Sequence, residues 1–411
     1  MNRLPVRLAL IVSVVASAAA CAAEPNDAFF FKKGDRIVFL GDSITEQYEY
    51  STDIELYLTT RFPDWNLTFI NAGIGGDTAT GGINRFANHV LAEKPTAVTI
   101  DFGMNDGGYG EFKQDRFDPY VRDTEAMLKA AKEAGVRVAV ISPNAVEIRS
   151  KPGLKTYLET QKQFYAPLKN LANMYDDAFV DQYAVTREVL EKVAADNADV
   201  KPFPDGVHTS PAGALLMAHI ILVGLHAPAV VSDLEIDAAA KKVGKTTRCQ
   251  ADGLEGGDEG VSFDRTDEAL PLPVQKDWKP ILPYLDQLKD LNYYGLKVTG
   301  LKDGKYTLTL DGANAGTFSS GDLAAGVNLG NLESGPLYDR SNLVFQAINL
   351  KNGELVHPRF RKVVMAKSSN GEEAKREEKL KKIMDEIMSD EEGIYKMTRP
   401  KTVRFELKPV K

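Results

Sequence analysis

Arg36-Ile-Val-Phe-Leu-Gly-Asp-Ser43-Ile44 joins a short apolar run to a turn and then to a helix-start signal. Ile37 to Leu40 do not alternate with polar residues. Such a run fits a strand buried on both faces, as in a parallel sheet. The arrangement recurs downstream. Leu67-Thr-Phe-Ile70, Ala97-Val-Thr-Ile-Asp-Phe102, Val136-Arg-Val-Ala-Val-Ile141 and Ala178-Phe-Val-Asp181 read as four more strands. Helical patterns lie between them, around 52–61, 82–92, 118–134 and 156–174. Strands alternating with helices predict an α/β fold whose parallel sheet carries helices on both faces. Ligands on such sheets bind beyond the carboxyl ends of the strands, so the loops after each strand are where chemistry is expected.

The alternation closes with a helix over 211–224, which has Pro211 just inside its start and Ser210 or Thr209 as cap. Beyond about 235 the pattern changes. Tyr294-Gly-Leu-Lys-Val-Thr299 and Lys305-Tyr-Thr-Leu-Thr-Leu310 read as a hairpin turning at Gly304, with Tyr306, Leu308 and Leu310 on one face. A charged helix follows at about 372–390, where Leu380, Ile383, Met384, Ile387 and Met388 form a packing stripe. A strand over Thr402-Val-Arg-Phe-Glu-Leu407 comes last. The 411 residues suggest two domains. The expected division is 1–23 as a signal peptide, 24–235 as a catalytic domain and 236–411 as a mixed α+β extension of unknown role.

The first residues carry the marks of export. Arg3 and Arg7 flank an apolar stretch from Leu8 to Val15, and small residues Ala18 to Ala20 follow. The stretch is too short to span a bilayer. Ala18-Ala-Ala-Cys21 loosely resembles a lipoprotein cleavage site but lacks the usual Leu three residues before the cysteine. Simple cleavage is therefore favoured over a lipid anchor at Cys21, and a periplasmic or extracellular location is expected. Cys249 is then left without a partner, so no disulfide framework is available. The net charge of −8 gives no basic surface for nucleic acid. The five histidines are dispersed without zinc-ligand spacing, and no metal or organic cofactor is expected.

Four loop segments stand out. Gly41-Asp42-Ser43-Ile44 follows the first strand. Ser43-Ile-Thr-Glu46 also reads as a capping box, which needs no chemistry. Asn71-Ala-Gly-Ile-Gly-Gly76 follows the second strand, Gly103-Met-Asn105-Asp106 the third, and Asp205-Gly-Val-His208 precedes the last helix. Each alone is ordinary turn or cap chemistry. Together, on one rim of one sheet, they supply a hydroxyl, a base, an orienting carboxylate and oxyanion donors, the parts of an acyl-transfer site. Arg85 and Tyr109 are placed by position to line the same pocket. Asp77 and Asp106 read as turn residues, and His219 and His226 as structural histidines.

These four segments, in this order, resemble the motif blocks of the SGNH (GDSL-like) hydrolases over about residues 35–230. The resemblance implies a flavodoxin-like three-layer sandwich. It implies Ser43 as nucleophile, His208 as base and Asp205 as its orienting partner, with an oxyanion hole from Ser43, Gly76 and Asn105. It implies a serine esterase, with an acetylated carbohydrate as the expected substrate. A lipase or thioesterase of the same fold is one alternative, and a non-catalytic polysaccharide-binding protein is another. Ser43 is not in a Gly-x-Ser-x-Gly elbow, which disfavours the α/β-hydrolase fold. The sugar, the acyl acceptor and the oligomeric state are not encoded legibly.

Overall fold

A computed structural model describes residues 28–365, 373–399 and 401–410. The expected signal at 1–23, with Cys21, lies outside them. Five strands form one parallel sheet: β1 (Arg36–Gly41), β2 (Thr68–Gly73), β3 (Ala97–Asp101), β4 (Arg137–Ile141) and β5 (Ala178–Val180). Their order is β2-β1-β3-β4-β5. Val38 lies opposite Ile70 on one side and Val98 on the other. All three are buried, as an apolar run without alternation requires. The order reverses direction between β1 and β3. That switch point leaves a crevice beyond the carboxyl ends of the strands.

Eight helices accompany this sheet: α1 (Ser43–Glu46), α2 (Glu49–Arg61), α3 (Ala79–His89), α4 (Gln114–Glu133), α5 (Lys155–Tyr165), α6 (Leu168–Tyr175), α7 (Gln182–Asp196) and α8 (Pro211–Gly224). Helix α8 begins as its sequence predicts. Ser210 accepts a hydrogen bond from the Gly213 N–H, and Pro211 occupies the first turn. The single pattern expected over 156–174 is two helices, with Pro167 at the start of the second, where a residue without an N–H is tolerated.

The chain then builds two facing sheets. One has the order β13-β10-β6-β7, with β6 (Val230–Asp237), β7 (Lys242–Thr247), β10 (Tyr293–Thr299) and β13 (Val327–Asn328). The other has the order β12-β11-β14-β9-β8, with β8 (Cys249–Gly257), β9 (Gly260–Asp267), β11 (Lys305–Leu310), β12 (Ala313–Ser319) and β14 (Val403–Pro409). Leu234, Leu296, Phe263, Leu308 and Phe405 meet in their common core. The expected hairpin between 294–299 and 305–310 does not form. β10 pairs with β6 and β13, whereas β11 pairs with β12 and β14. Both strands carry an apolar face, and the chain crosses from one sheet to the other so that the two faces meet. Tyr306, Leu308 and Leu310 are buried together as the alternation predicts.

Later segments also return to the first core, among them Leu270, Trp278, Ile348, Phe360 and Ile394. The helix Pro336–Lys351 ends on α2, where Lys351 Nζ lies 2.5 Å from Glu55 Oε1 and Asn352 donates to Glu55 Oε2 at 3.0 Å. The charged helix is longer than expected, Glu373–Thr398. Along its stripe Ile387 is buried, Leu380 and Met384 pack on the core, and Met388 points to solvent. Among the described residues no helix is long and apolar enough to cross a membrane.

Candidate active site

The turn after β1 is shaped by Asp42. Its carboxylate accepts from the Ile44 N–H at 2.9 Å and caps α1, so Ser43 is the first helical residue. The capping box read over 43–46 therefore does not form, because the cap falls one residue earlier at Asp42, and the side chains of Ser43 and Glu46 are free for other contacts. Ser43 Oγ lies 2.8 Å from His208 Nε2, and His208 Nδ1 lies 2.7 Å from Asp205 Oδ2. An ionised carboxylate only accepts, so Nδ1 carries the hydrogen and Nε2 is left to accept from the serine hydroxyl. Partial burial pushes the Asp205 carboxyl up. Its bonds from the His208 ring and from the backbone N–H groups of His208 and Val207 outweigh that and hold it below the usual carboxylate range.

The N–H groups of Ser43 and Gly76 meet no protein acceptor among the described residues. Gly76 has φ +75°, a left-handed conformation that a side chain would strain. Asn71 ties this loop to α1, donating to Thr45 O at 2.7 Å and accepting from the Gly73 N–H at 2.9 Å.

Asn105 is fixed on both sides of its amide. Its Nδ2 donates to Asp42 Oδ2 at 3.1 Å and to Asp77 O at 2.9 Å, and its Oδ1 accepts from the Tyr109 hydroxyl at 2.8 Å. The loop bearing it is held by two buried tyrosines. Tyr120 donates to Phe102 O at 3.0 Å and Tyr157 to Met104 O at 2.5 Å. Gly103 sits beneath them at φ +135°, where an added Cβ would fall 2.6 Å from the Tyr165 ring. Burial pushes the Asp42 carboxyl up to about 7, opposed by its bond from Ile44 and reinforced by Asp106.

Of the residues expected at the site, Ser43, His208 and Asp205 are joined by hydrogen bonds, and Asn105 is bonded to Asp42 beside Ser43; Gly76 lies in the loop after β2, next to Gly75, which Glu46 of α1 holds. Tyr109 touches Asn105. Arg85 does not line the pocket; it is buried, holding Asp77 Oδ2 and the carbonyls of Ala72 and Gly41. Sequence reasoning missed Gln47, whose amide contacts Thr209 beside the histidine. It also missed Arg361, which reaches in from far along the chain to Glu46 at 2.5 Å. Cys249 is buried, with its thiol against Asp233 O and its pKa raised by desolvation, which fits an inert thiol.

A strand–turn–helix serine bonded to an imidazole that is itself bonded to a carboxylate, at a topological switch point, is the arrangement that nucleophilic catalysis by a serine would need. Residues 39–216 match the model of the GDSL-like Lipase/Acylhydrolase family. The protein is a carboxylic ester hydrolase. It is 24% identical over 215 residues to an acetylxylan esterase of Geobacillus stearothermophilus, covering 46% of this chain and 93% of that one. It is 26% identical over 192 residues to an arylesterase of Vibrio mimicus, covering 43% and 81%. The solved structure of a gut microbial diltiazem-metabolizing enzyme superposes with a TM-score of 0.80 at 26% identity, covering 92% of this chain and 98% of that one. The likeness to that enzyme covers nearly the whole chain, whereas each of the two esterases covers less than half of it.

Proposed function

We propose that the protein hydrolyses short acyl esters by a Ser43-His208-Asp205 acyl-enzyme mechanism, with an acetylated carbohydrate as substrate. In this mechanism His208 takes the Ser43 proton as Oγ attacks the ester carbonyl. Asp205 fixes the tautomer and stabilises the imidazolium. The N–H groups of Ser43 and Gly76 take up the charge developing on the carbonyl oxygen. Asn105 adds its amide by sharing the hydrogen now directed at Asp77 O. His208 then returns the proton to the leaving alcohol, and water releases the acyl group by the reverse route.

The observation that carries this reading is the unbroken chain of hydrogen bonds from Asp205 through His208 to Ser43. The acetylxylan esterase relative supports the acetyl-carbohydrate substrate. A small non-carbohydrate ester is a second reading, favoured by the full-length likeness to the diltiazem-metabolizing enzyme. Export by the N-terminal signal belongs to the same proposal and would give the enzyme access to polysaccharide.

The test is acetate release from acetylated xylo-oligosaccharides beside a nitrophenyl ester series of rising chain length. Rates highest with acetyl esters, and acetate released from the oligosaccharides, support the proposal. A preference for long acyl chains would favour the lipase-type alternative, and turnover confined to small aryl esters would favour the second reading.

A further inference from the structure

We propose that Arg361 positions the Gly75–Gly76 turn through Glu46, which makes the C-terminal half a working part of the esterase site. The inference rests on the reading of Gly76 as an oxyanion donor. Glu46 accepts a hydrogen bond from the Gly75 N–H with one carboxylate oxygen. Its other oxygen lies 2.5 Å from Arg361 Nη2. Among the described residues, Ile74, Gly75 and Gly76 make no other side-chain hydrogen bond. The turn is exposed at both glycines, and glycine is the residue that restrains its backbone least. Backbone bonds hold its first residue, the Ile74 N–H donating to Gly41 O at 3.2 Å and the Asp77 N–H to Ile74 O at 3.1 Å, which leaves Glu46 as the side chain that grips Gly75.

Arg361 is itself firmly placed. Arg359, two residues earlier, lies 2.8 Å from Glu93 in a buried ion pair. The Phe360 ring meets His89 edge-on at 5.7 Å. Lys351 and Asn352 anchor the start of the segment on α2 through Glu55. The chain takes wide helical turns between these anchors, at Asn352–Val356, and again around Arg361, with the Met365 N–H donating to Phe360 O five residues back. Such turns recur at functional sites. The Arg361–Glu46 pair is partly exposed, 36% and 19% by side chain, so it adds little to folding stability. Its effect is geometric. An oxyanion donor works only when aimed at the place where charge develops, and small misplacements near reacting atoms are costly.

The experiment uses the full-length chain and nitrophenyl acetate, with Arg361→Met, Glu46→Ala, the double variant and Arg361→Lys. Arg361→Met should lower kcat about tenfold, less than outright loss of an oxyanion donor, with KM and the thermal midpoint unchanged. The double variant should be no worse than Glu46→Ala alone, because Arg361 acts through Glu46. Arg361→Lys should recover most of the rate. An unchanged kcat for Arg361→Met in an active enzyme, or losses that multiply in the double variant, would overturn the inference alone. A wild-type chain without esterase activity, or an active Ser43→Ala variant, would overturn the functional reading and the inference with it.

Discussion

The molecule holds two polar networks of similar make-up and opposite finish. In the second core, Arg265 is buried between the facing sheets. It donates to Asp267 Oδ1 at 2.9 Å, Gly295 O at 2.9 Å and Ser232 Oγ at 2.7 Å, and lies 4.0 Å from the Tyr294 ring centroid. Tyr294 and Ser232 each donate to Asp267 at 2.6 Å. At the rim of the parallel sheet a carboxylate, a basic side chain and a hydroxyl also form a chain, but it is open. The His208 and Asp205 side chains are 39% and 57% exposed, and among the described residues the N–H groups of Ser43 and Gly76 meet no protein acceptor. A closed network spends its hydrogen bonds on folding. An open one keeps donors in reserve for a reacting ligand.

That contrast breaks most readily at Ser43. Ser43→Ala should lower ester turnover by about 10⁴-fold or more and leave the thermal midpoint intact; normal turnover, or a large loss of stability, would erase the distinction. Arg265→Met should do the reverse. Removing one partner from a buried pair costs about 3–5 kcal/mol, read as a lower denaturation midpoint, while kcat measured where the variant is folded stays unchanged. Asn105→Ala should cost about 10²–10³ in kcat, sharpening the contrast by showing that an amide already bonded to Asp42 and Asp77 O still serves the reaction.

The smallest expected effect concerns pH. Burial pushes the Asp42 and Asp106 carboxyls up to about 7, so the folded state keeps protons that an unfolded chain gives up near 4. Stability should therefore fall as pH rises from about 4 towards 7. Asp106→Asn should make the thermal midpoint less dependent on pH across that window; an unaltered slope would remove Asp106 from the account.

Much of the first region was legible because its strands are buried on both faces. Runs such as Val136–Ile141 admit few other readings, and the loops that follow them are the ones the sheet gathers. The site was legible for the same reason: its residues sit at fixed places relative to strand ends and to the cap of α8. The second region was less so. The periods of 294–299 and 305–310 fix which residues face inward, but not which strand lies alongside, since pairing depends on neighbours distant in sequence. The cap at Asp42 was missed because Ser43 and Glu46 imitate a capping box. Lys351, Arg359 and Arg361 look like a solvated charged face until the fold brings Glu55, Glu93 and Glu46 opposite them.

Treatment with a fluorophosphonate, followed by peptide mapping of the adduct, asks whether Ser43 is the nucleophile. One adduct per chain is expected, on Ser43, and none in the His208→Ala variant. An enzyme that cleaves esters yet carries its adduct on another residue, or none at all, would contradict that assignment.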